Sequence, residues 1–193
     1  VTVDPIIFAI EDNQLKVLLV KRGTDPYKGK WSIPGGFVNI DESLEEAAHR
    51  ELEEETGVKN VYMEQLYTYG KPKRDPRYRI ISVAFFALID HTKLNMTQPS
   101  KGNEIIKSEW FPINKLPETA FDHKEMIEYA HQRLKYKLEY TSVGLELLPD
   151  LFSLTDLQNI YEVILGEKLD KRNFRKKIFS LGILKATNQF RMG

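Results

Sequence analysis

A chain of 193 residues with 41% hydrophobic side chains is long enough for one large domain, or for a medium domain with a small companion. It has no cysteine, which excludes disulfides, thiolate metal sites and cysteine nucleophiles, and no apolar run of membrane-spanning length. The formal charge of zero hides an asymmetry: from Gly166 onward eight Lys and Arg face two acids, so a body of net −6 carries a terminal region of +6.

Opposite charges on two regions point to two surfaces with different partners. With no secretory signal visible, the expected location is cytoplasmic. Val1 to Lys21 reads as two strands, PIIFAI and KVLLV, joined at Glu11-Asp12-Asn13-Gln14. A loop rich in Gly and Pro, TDPYKGKWSIPGG, then leads into a helix from Ser43 to Thr56. Ser43-x-x-Glu46 reads as a capping box, and Gly57 is placed as a C-terminal cap.

The phase of this helix is its informative feature. Leu44, Ala47, Ala48 and Leu52 form one apolar stripe, and Glu51 and Glu55 fall inside it. Glu54 lies on the flank beside Arg50, while Glu45, Glu46 and Glu53 occupy the far side. An inward carboxylate costs several kcal/mol unless it is paired or holds a cation. Three within about one turn, with one arginine nearby, point to a hard-cation site rather than to a solvated Glu-rich helix.

The residues Gly36, Glu42, Arg50, Glu51, Leu52, Glu54, Glu55, Gly57 and Val58 follow the pattern G-x5-E-x7-R-E-U-x-E-E-x-G-U, with U aliphatic. The segment resembles the Nudix box, at every fixed position. The resemblance implies a pyrophosphohydrolase using Mg²⁺ (or Mn²⁺), with Glu51, Glu54, Glu55 and the Gly36 carbonyl as metal ligands. It gives Arg50 the task of holding a glutamate in place and makes Glu42 structural. A general base in this family often comes from a loop outside the box. Glu104, in KGNEI, is the candidate, against the plain reading of an exposed loop acid.

Val61 to Tyr69 and Ile80 to Ile89 read as strands, the second suited to a covered sheet. Between them lies a basic, proline-stiffened loop from Gly70 to Arg77. Pro72, fifteen residues after Gly57, the RDPRYR segment and Ala120 to His123 resemble ADP-ribose pyrophosphatases. Lys71, Lys73, Arg74, Arg77 and Arg79 are candidates to meet phosphates, with Arg74, Arg77 and Arg79 preferred as substrate contacts. Tyr27, Trp31, Tyr69 and Tyr78 are candidates to stack on a base, although most aromatics are core. His123, at a helix start, is left unassigned as a hydrogen-bonded structural group. Trp110-Phe111-Pro112 ends another strand, and Asp122 to Tyr140 is a long amphipathic helix. Strands and helices mixed in this order imply an α/β fold, an α/β/α sandwich on a mixed sheet.

A boundary is expected at about Thr141 to Asp150, dividing the chain into residues 1–140 and 141–193. Beyond it, SLTDLQNIYEVILG reads as a helix capped by Ser153 or Thr155 and stopped by Gly166. A second helix, KRNFRKKIFSLG, is capped by Asp170; Phe174, Ile178 and Leu181 share its apolar face. Arg172, Arg175 and Lys176 share the opposite face, with Lys171 at its edge. This fits a helix-turn-helix as well as a plain helical hairpin with a solvated basic face. The two-part layout resembles the Nudix-related transcriptional regulators, in which a Nudix domain recognises an ADP-ribose-like or sugar ligand and a winged helix binds DNA. The resemblance implies that Lys171, Arg172, Asn173, Arg175 and Lys176 meet double-stranded DNA, and that the protein pairs as a homodimer. It also puts the wing hairpin where the chain reaches Phe190-Arg191-Met192-Gly193, so the small C-terminal winged-helix-like domain is expected without its wing. Two functions follow: a hydrolase of ADP-ribose or a related nucleoside diphosphate derivative fused to a DNA-binding module, or a regulator that senses such a ligand without significant hydrolysis.

Overall fold

The first two strands, β1 (Thr2–Glu11) and β2 (Gln14–Arg22), form the expected hairpin, and its turn residues Asp12 and Asn13 have φ of 51° and 57°. Two successive left-handed residues are what a two-residue hairpin turn requires, and Asp and Asn tolerate that backbone better than bulkier side chains. The computed structural model describes residues 1–89, 104–140, 145, 148, 151–182 and 184–187. In chain order there follow β3 (Trp31–Ser32), β4 (Gly36–Phe37), α1 (Leu44–Thr56), β5 (Glu64–Tyr69), β6 (Ser82–Ile89), β7 (Ile105–Pro112), α2 (His123–Tyr140), α3 (Leu154–Leu165) and α4 (Lys171–Ser180).

The sheet runs β3-β2-β1-β6-β5, with β4 paired to β1 and β7 to β2. β1 and β6 are parallel and the other pairs antiparallel, so the sheet is mixed, as expected. Strand periodicity sorts its central residues onto two faces. Val3, Ile7 and Ala9 of β1, with Val83, Phe85, Ala87 and Ile89 of β6, pack on the α1 side. Ile6 and Phe8, with Ala84, Phe86 and Leu88, pack on the α2 side. Helices cover both faces, and all eight residues of β6 are buried, which explains its unbroken apolar run.

Two boundaries moved. Val61 is buried beneath α1 as loop, and β5 starts only at Glu64; β6 starts at Ser82 rather than Ile80. The two-residue strands β3 and β4 lie inside the stretch expected as loop, because strands that short carry no periodic pattern.

The C-terminal helices have the expected ends. Ser153 and Asp156 form a reciprocal capping box on α3, Gly166 closes it at φ 78°, and the Asp170 side chain caps α4. Glu162 holds the connection, accepting from Gln158 Nε2 at 3.0 Å and Leu169 N at 3.1 Å, besides pairing with Lys168. Unforeseen is how these helices dock. Leu157, Ile160, Tyr161 and Ile164 of α3, with Phe174 and Ile178 of α4, join one apolar core with Met126, Ile127, Ala130, Leu134 and Leu138 of α2. His131 Nε2 of α2 donates to the Ile164 carbonyl oxygen at 2.9 Å. The boundary segment and the wing position lie outside the described residues, apart from Leu145 and Leu148 in the former. Among the described residues no helix is long and apolar enough to cross a membrane.

Candidate functional site

The capping box of Ser43 and Glu46 starts α1, and Gly57, at φ 75°, ends it. Between these caps the helix turns Glu51 and Glu55 inward, leaving them 3% and 4% exposed. The turn ahead of the helix is built for close approach. A β-carbon on Gly36 would lie 2.4 Å from Glu51 Oε1, and one on Gly35 would lie 2.2 Å from the Val3 carbonyl oxygen. Only glycine fits either place. Gly35 N donates to Glu55 Oε2 at 3.0 Å, which ties that carboxylate to the turn.

Arg50 organises the remaining acids. Its Nη1 donates to Glu51 Oε1 at 2.8 Å and to Glu54 Oε2 at 3.3 Å, and its Nη2 to the Phe37 carbonyl at 3.0 Å. Its Nε donates to Glu42 Oε2 at 2.9 Å, while Asn39 N donates to Glu42 Oε1 at 2.7 Å. Hydrogen bonds from Arg50 and then from the Asn39 backbone hold the Glu42 carboxyl down at about 2. Glu42 thus braces Arg50.

The donor chemistry suits a hard divalent cation: buried anionic oxygens open onto a polar cavity beside a glycine that leaves them room. As placed, the three carboxylates do not converge, and among the described residues no three acidic or histidine side chains are grouped to hold a metal ion. Glu51 and Glu54, two of the carboxylates that would hold a cation, both accept from Arg50 Nη1.

The cavity has a volume of about 420 Å³, and Gly36, Arg50, Glu51, Glu55, Arg74, Arg77 and Glu104 all lie on its wall. Two expected site residues stand off it. Glu54 is on the flank behind Arg50, and Arg79 is turned away to the Gly70 carbonyl. Arg74 reaches the wall but is already engaged, with Nε and Nη2 on Asp122 at 2.9 and 2.7 Å and its side chain 5% exposed. Arg77, at the rim, is paired with Asp75 through Nε at 3.1 Å and Nη2 at 2.8 Å. Lys71, Lys73 and Tyr78 are exposed on the same loop. Tyr27 packs edge-on against Phe121 at 4.8 Å and Trp31 against Phe111 at 4.5 Å, while the Tyr69 hydroxyl is buried with no hydrogen-bond partner among the described residues.

Sequence reasoning missed Asp4 and Arg22 on this wall, named Phe121 only within the Ala120 to His123 segment, and left His123 unassigned. The His123 Nδ1 accepts from Ile33 N at 2.8 Å, so the ring proton sits on Nε2, 4.0 Å from Asp4 Oδ1. Burial pushes this imidazole down to about 3, which keeps it neutral. Asp4 accepts from the Ser82 hydroxyl, and burial raises its carboxyl to about 6. A lone acid within an apolar strand carries the same signal that singled out Glu51, so Asp4 was detectable. Arg22 ends an ordinary strand and carries no local signal.

On α4, Lys171, Arg172, Asn173 and Lys176 are exposed and Arg175 is half-buried, while Phe174 and Ile178 face the core. Phe174 meets Tyr161 of α3 edge-on at 5.2 Å. The five expected DNA-contacting residues are thus on the helix's outward side.

A mixed sheet between helices, with a glycine turn set against the inward glutamates of one capped helix, defines a Nudix domain, here followed by a basic helical pair. The NUDIX domain family matches residues 2–130, and the NrtR DNA-binding winged helix domain matches residues 144–193. The ADPR responsive transcriptional repressor NtrR of Acinetobacter baylyi is 41% identical over 192 residues, spanning 97% of this chain and 75% of that protein. The ADP-ribose pyrophosphatase of Methanocaldococcus jannaschii is 41% identical over 128 residues, 66% of this chain and 70% of that one. The crystal structure of Shewanella oneidensis NrtR complexed with a 27mer DNA superposes with a TM-score of 0.85 at 36% identity, covering 100% of this chain and 88% of that one. The chain belongs to the Nudix superfamily, in its family of Nudix-related transcriptional regulators with a C-terminal winged helix.

Proposed function

We propose that residues 1–140 bind ADP-ribose or a related nucleoside diphosphate derivative and hydrolyse its diphosphate with Mg²⁺ (or Mn²⁺), while residues 141–193 bind double-stranded DNA. The observation that carries the enzymatic half is the pair of buried glutamates, Glu51 and Glu55, opening beside Gly36 onto a cavity that Arg22, Arg74 and Arg77 also line. Glu51, Glu54, Glu55 and the Gly36 carbonyl would hold the cation, which when bound neutralises phosphate charge and activates water. Arg50, braced by Glu42, keeps Glu51 and Glu54 in register. Glu104, exposed on the same wall, would take the proton of the attacking water. The DNA half rests on the outward Lys171, Arg172, Asn173, Arg175 and Lys176, and on the DNA-bound relative; such contacts go to phosphates and base edges. Pairing as a homodimer, expected for both halves, is checked by light scattering.

A second reading, a sensor without significant hydrolysis, is favoured by one observation: Arg50 Nη1 already donates to both Glu51 and Glu54, two of the residues that would hold the cation. The ADPR-responsive relative supports the ligand in either case. Mg²⁺-dependent release of AMP from ADP-ribose, with Glu54→Gln as control, decides between the two. Turnover that disappears in the variant is the expected result, with DNA retardation unchanged. Binding of ADP-ribose without turnover would overturn the enzymatic half and leave the sensor.

A further inference from the structure

The outward side of α4 is not uniformly basic. Phe179, in its last turn, is 61% exposed, and among the described residues of α3 and α4 it is the one large apolar side chain left to solvent. At about 100° per residue, Phe179 projects about 80° round the helix from Lys171, between Arg175 at about 40° and Arg172 at about 100°, with Lys176 at about 140°. Phe174 and Ile178, which enter the core, project about 100° or more away from it. The ring therefore lies near the centre of the arc that Lys171, Arg172, Arg175 and Lys176 define, about two turns along from its start.

An exposed phenyl ring forgoes the gain of burial, and the four cations around it can meet phosphates without its help. A face that met phosphates alone would take a polar residue at this position as readily. In the major groove, however, the base edges present one apolar group, the 5-methyl of thymine, and phenylalanine is among the side chains that contact it. A recognition helix laid in that groove brings its first turn to the base edges. A side chain on the same side two turns further on lies about 12 Å along the helix, the length of about three to four base pairs, and so remains within the site.

We propose that Phe179 reads the DNA: its ring covers the 5-methyl groups of one or two neighbouring thymines in the major groove and gives the basic helix a sequence preference there. This inference rests on the reading of residues 141–193 as a double-stranded DNA-binding module. Cytosine has no such methyl, so a T·A pair is preferred to a C·G pair where the ring lands. Lys171, Arg172, Arg175 and Lys176 surround that contact with charge, and Phe179 supplies a discrimination that phosphate contacts do not carry.

The test begins with the duplex that the wild-type full chain selects from a random-sequence pool, remade with deoxyuridine in place of one thymine at a time. Uracil pairs as thymine does and lacks only the methyl. Binding is followed by fluorescence anisotropy for wild type, Phe179→Ala and Phe179→Leu, with a duplex of G·C pairs alone as reference. Wild type is expected to lose about fourfold in affinity at each thymine whose methyl the ring covers. Phe179→Ala should bind the selected duplex about tenfold more weakly and no longer tell thymine from uracil at those positions. Phe179→Leu, smaller but still apolar, should fall between. All three proteins should bind the G·C duplex alike, with the same dependence on salt, because no phosphate contact has changed. Wild type that shows no preference for thymine over uracil at any position overturns the assignment and leaves DNA binding in place. Phe179→Ala that keeps the wild-type preference overturns it as well. Equal loss on the G·C duplex would give the ring a packing role within the domain and likewise overturn it. Wild type that binds neither duplex would sink the DNA reading and this inference together.

Discussion

Replacing Asp4 by Asn should stabilise the protein at neutral pH and do little in acid. Asp4 is buried against Ser82 and His123, and its carboxyl keeps its proton up to about 6, against 3.8 in the open chain. An acid raised in this way penalises the folded state wherever the unfolded chain can ionise it. Below 3.8 both states are protonated and the group is neutral to stability. As pH rises, the unfolded chain ionises first, and the folded state is penalised until it too ionises near 6. At about 1.4 kcal/mol per pH unit, the full penalty above that window is about 3 kcal/mol. Asparagine has the same shape, still accepts from the Ser82 hydroxyl and carries no charge. The stability of Asp4→Asn relative to wild type should therefore grow by about 2.5 kcal/mol between pH 4 and pH 8. For a chain of this size that is a relative rise in Tm of roughly 5 to 10 °C. Thermal unfolding of both proteins in EDTA across this pH range measures it. Parallel curves, with a constant difference at every pH, would refute the reasoning.

Two other substitutions probe other parts of the molecule. Gly36→Ala places a β-carbon 2.4 Å from Glu51 Oε1, so the carboxylate or the turn must move. The expected cost is about 1 to 3 kcal/mol in urea unfolding together with loss of AMP release, and an unchanged midpoint would contradict the packing. Arg172→Ala combined with Arg175→Ala should abolish DNA retardation while leaving ADP-ribose binding intact; retardation at the wild-type level would mean that α4 does not face the DNA.

The parts legible in the sequence were those written in local patterns. The phase of α1 put Glu51 and Glu55 inside, its caps were readable from Ser43, Glu46 and Gly57, and the apolar run of β6 announced a sheet covered on both faces. What escaped depends on contacts between distant segments. Phe121 and His123 reach the cavity because α2 starts beside β3, and Arg22 because β2 ends there. Arg74 lies in the expected basic loop, but its pairing with Asp122 spans 48 residues and no local pattern announces it. The apolar faces of α3 and α4 were visible, but a helical hairpin can satisfy such faces internally, so the periodicity gave no hint that α2 was also their partner.

That docking has a thermodynamic consequence. Helices of 12 and 10 residues are too short to hold their shape alone in water, so α3 and α4 borrow their order from α2 and the sheet beneath it. Their folding free energy is not separable from that of the Nudix domain, and warming the protein should yield one transition in place of two. Grip on DNA should then have the same melting midpoint as the ligand cavity, although no α4 residue lies on the cavity wall.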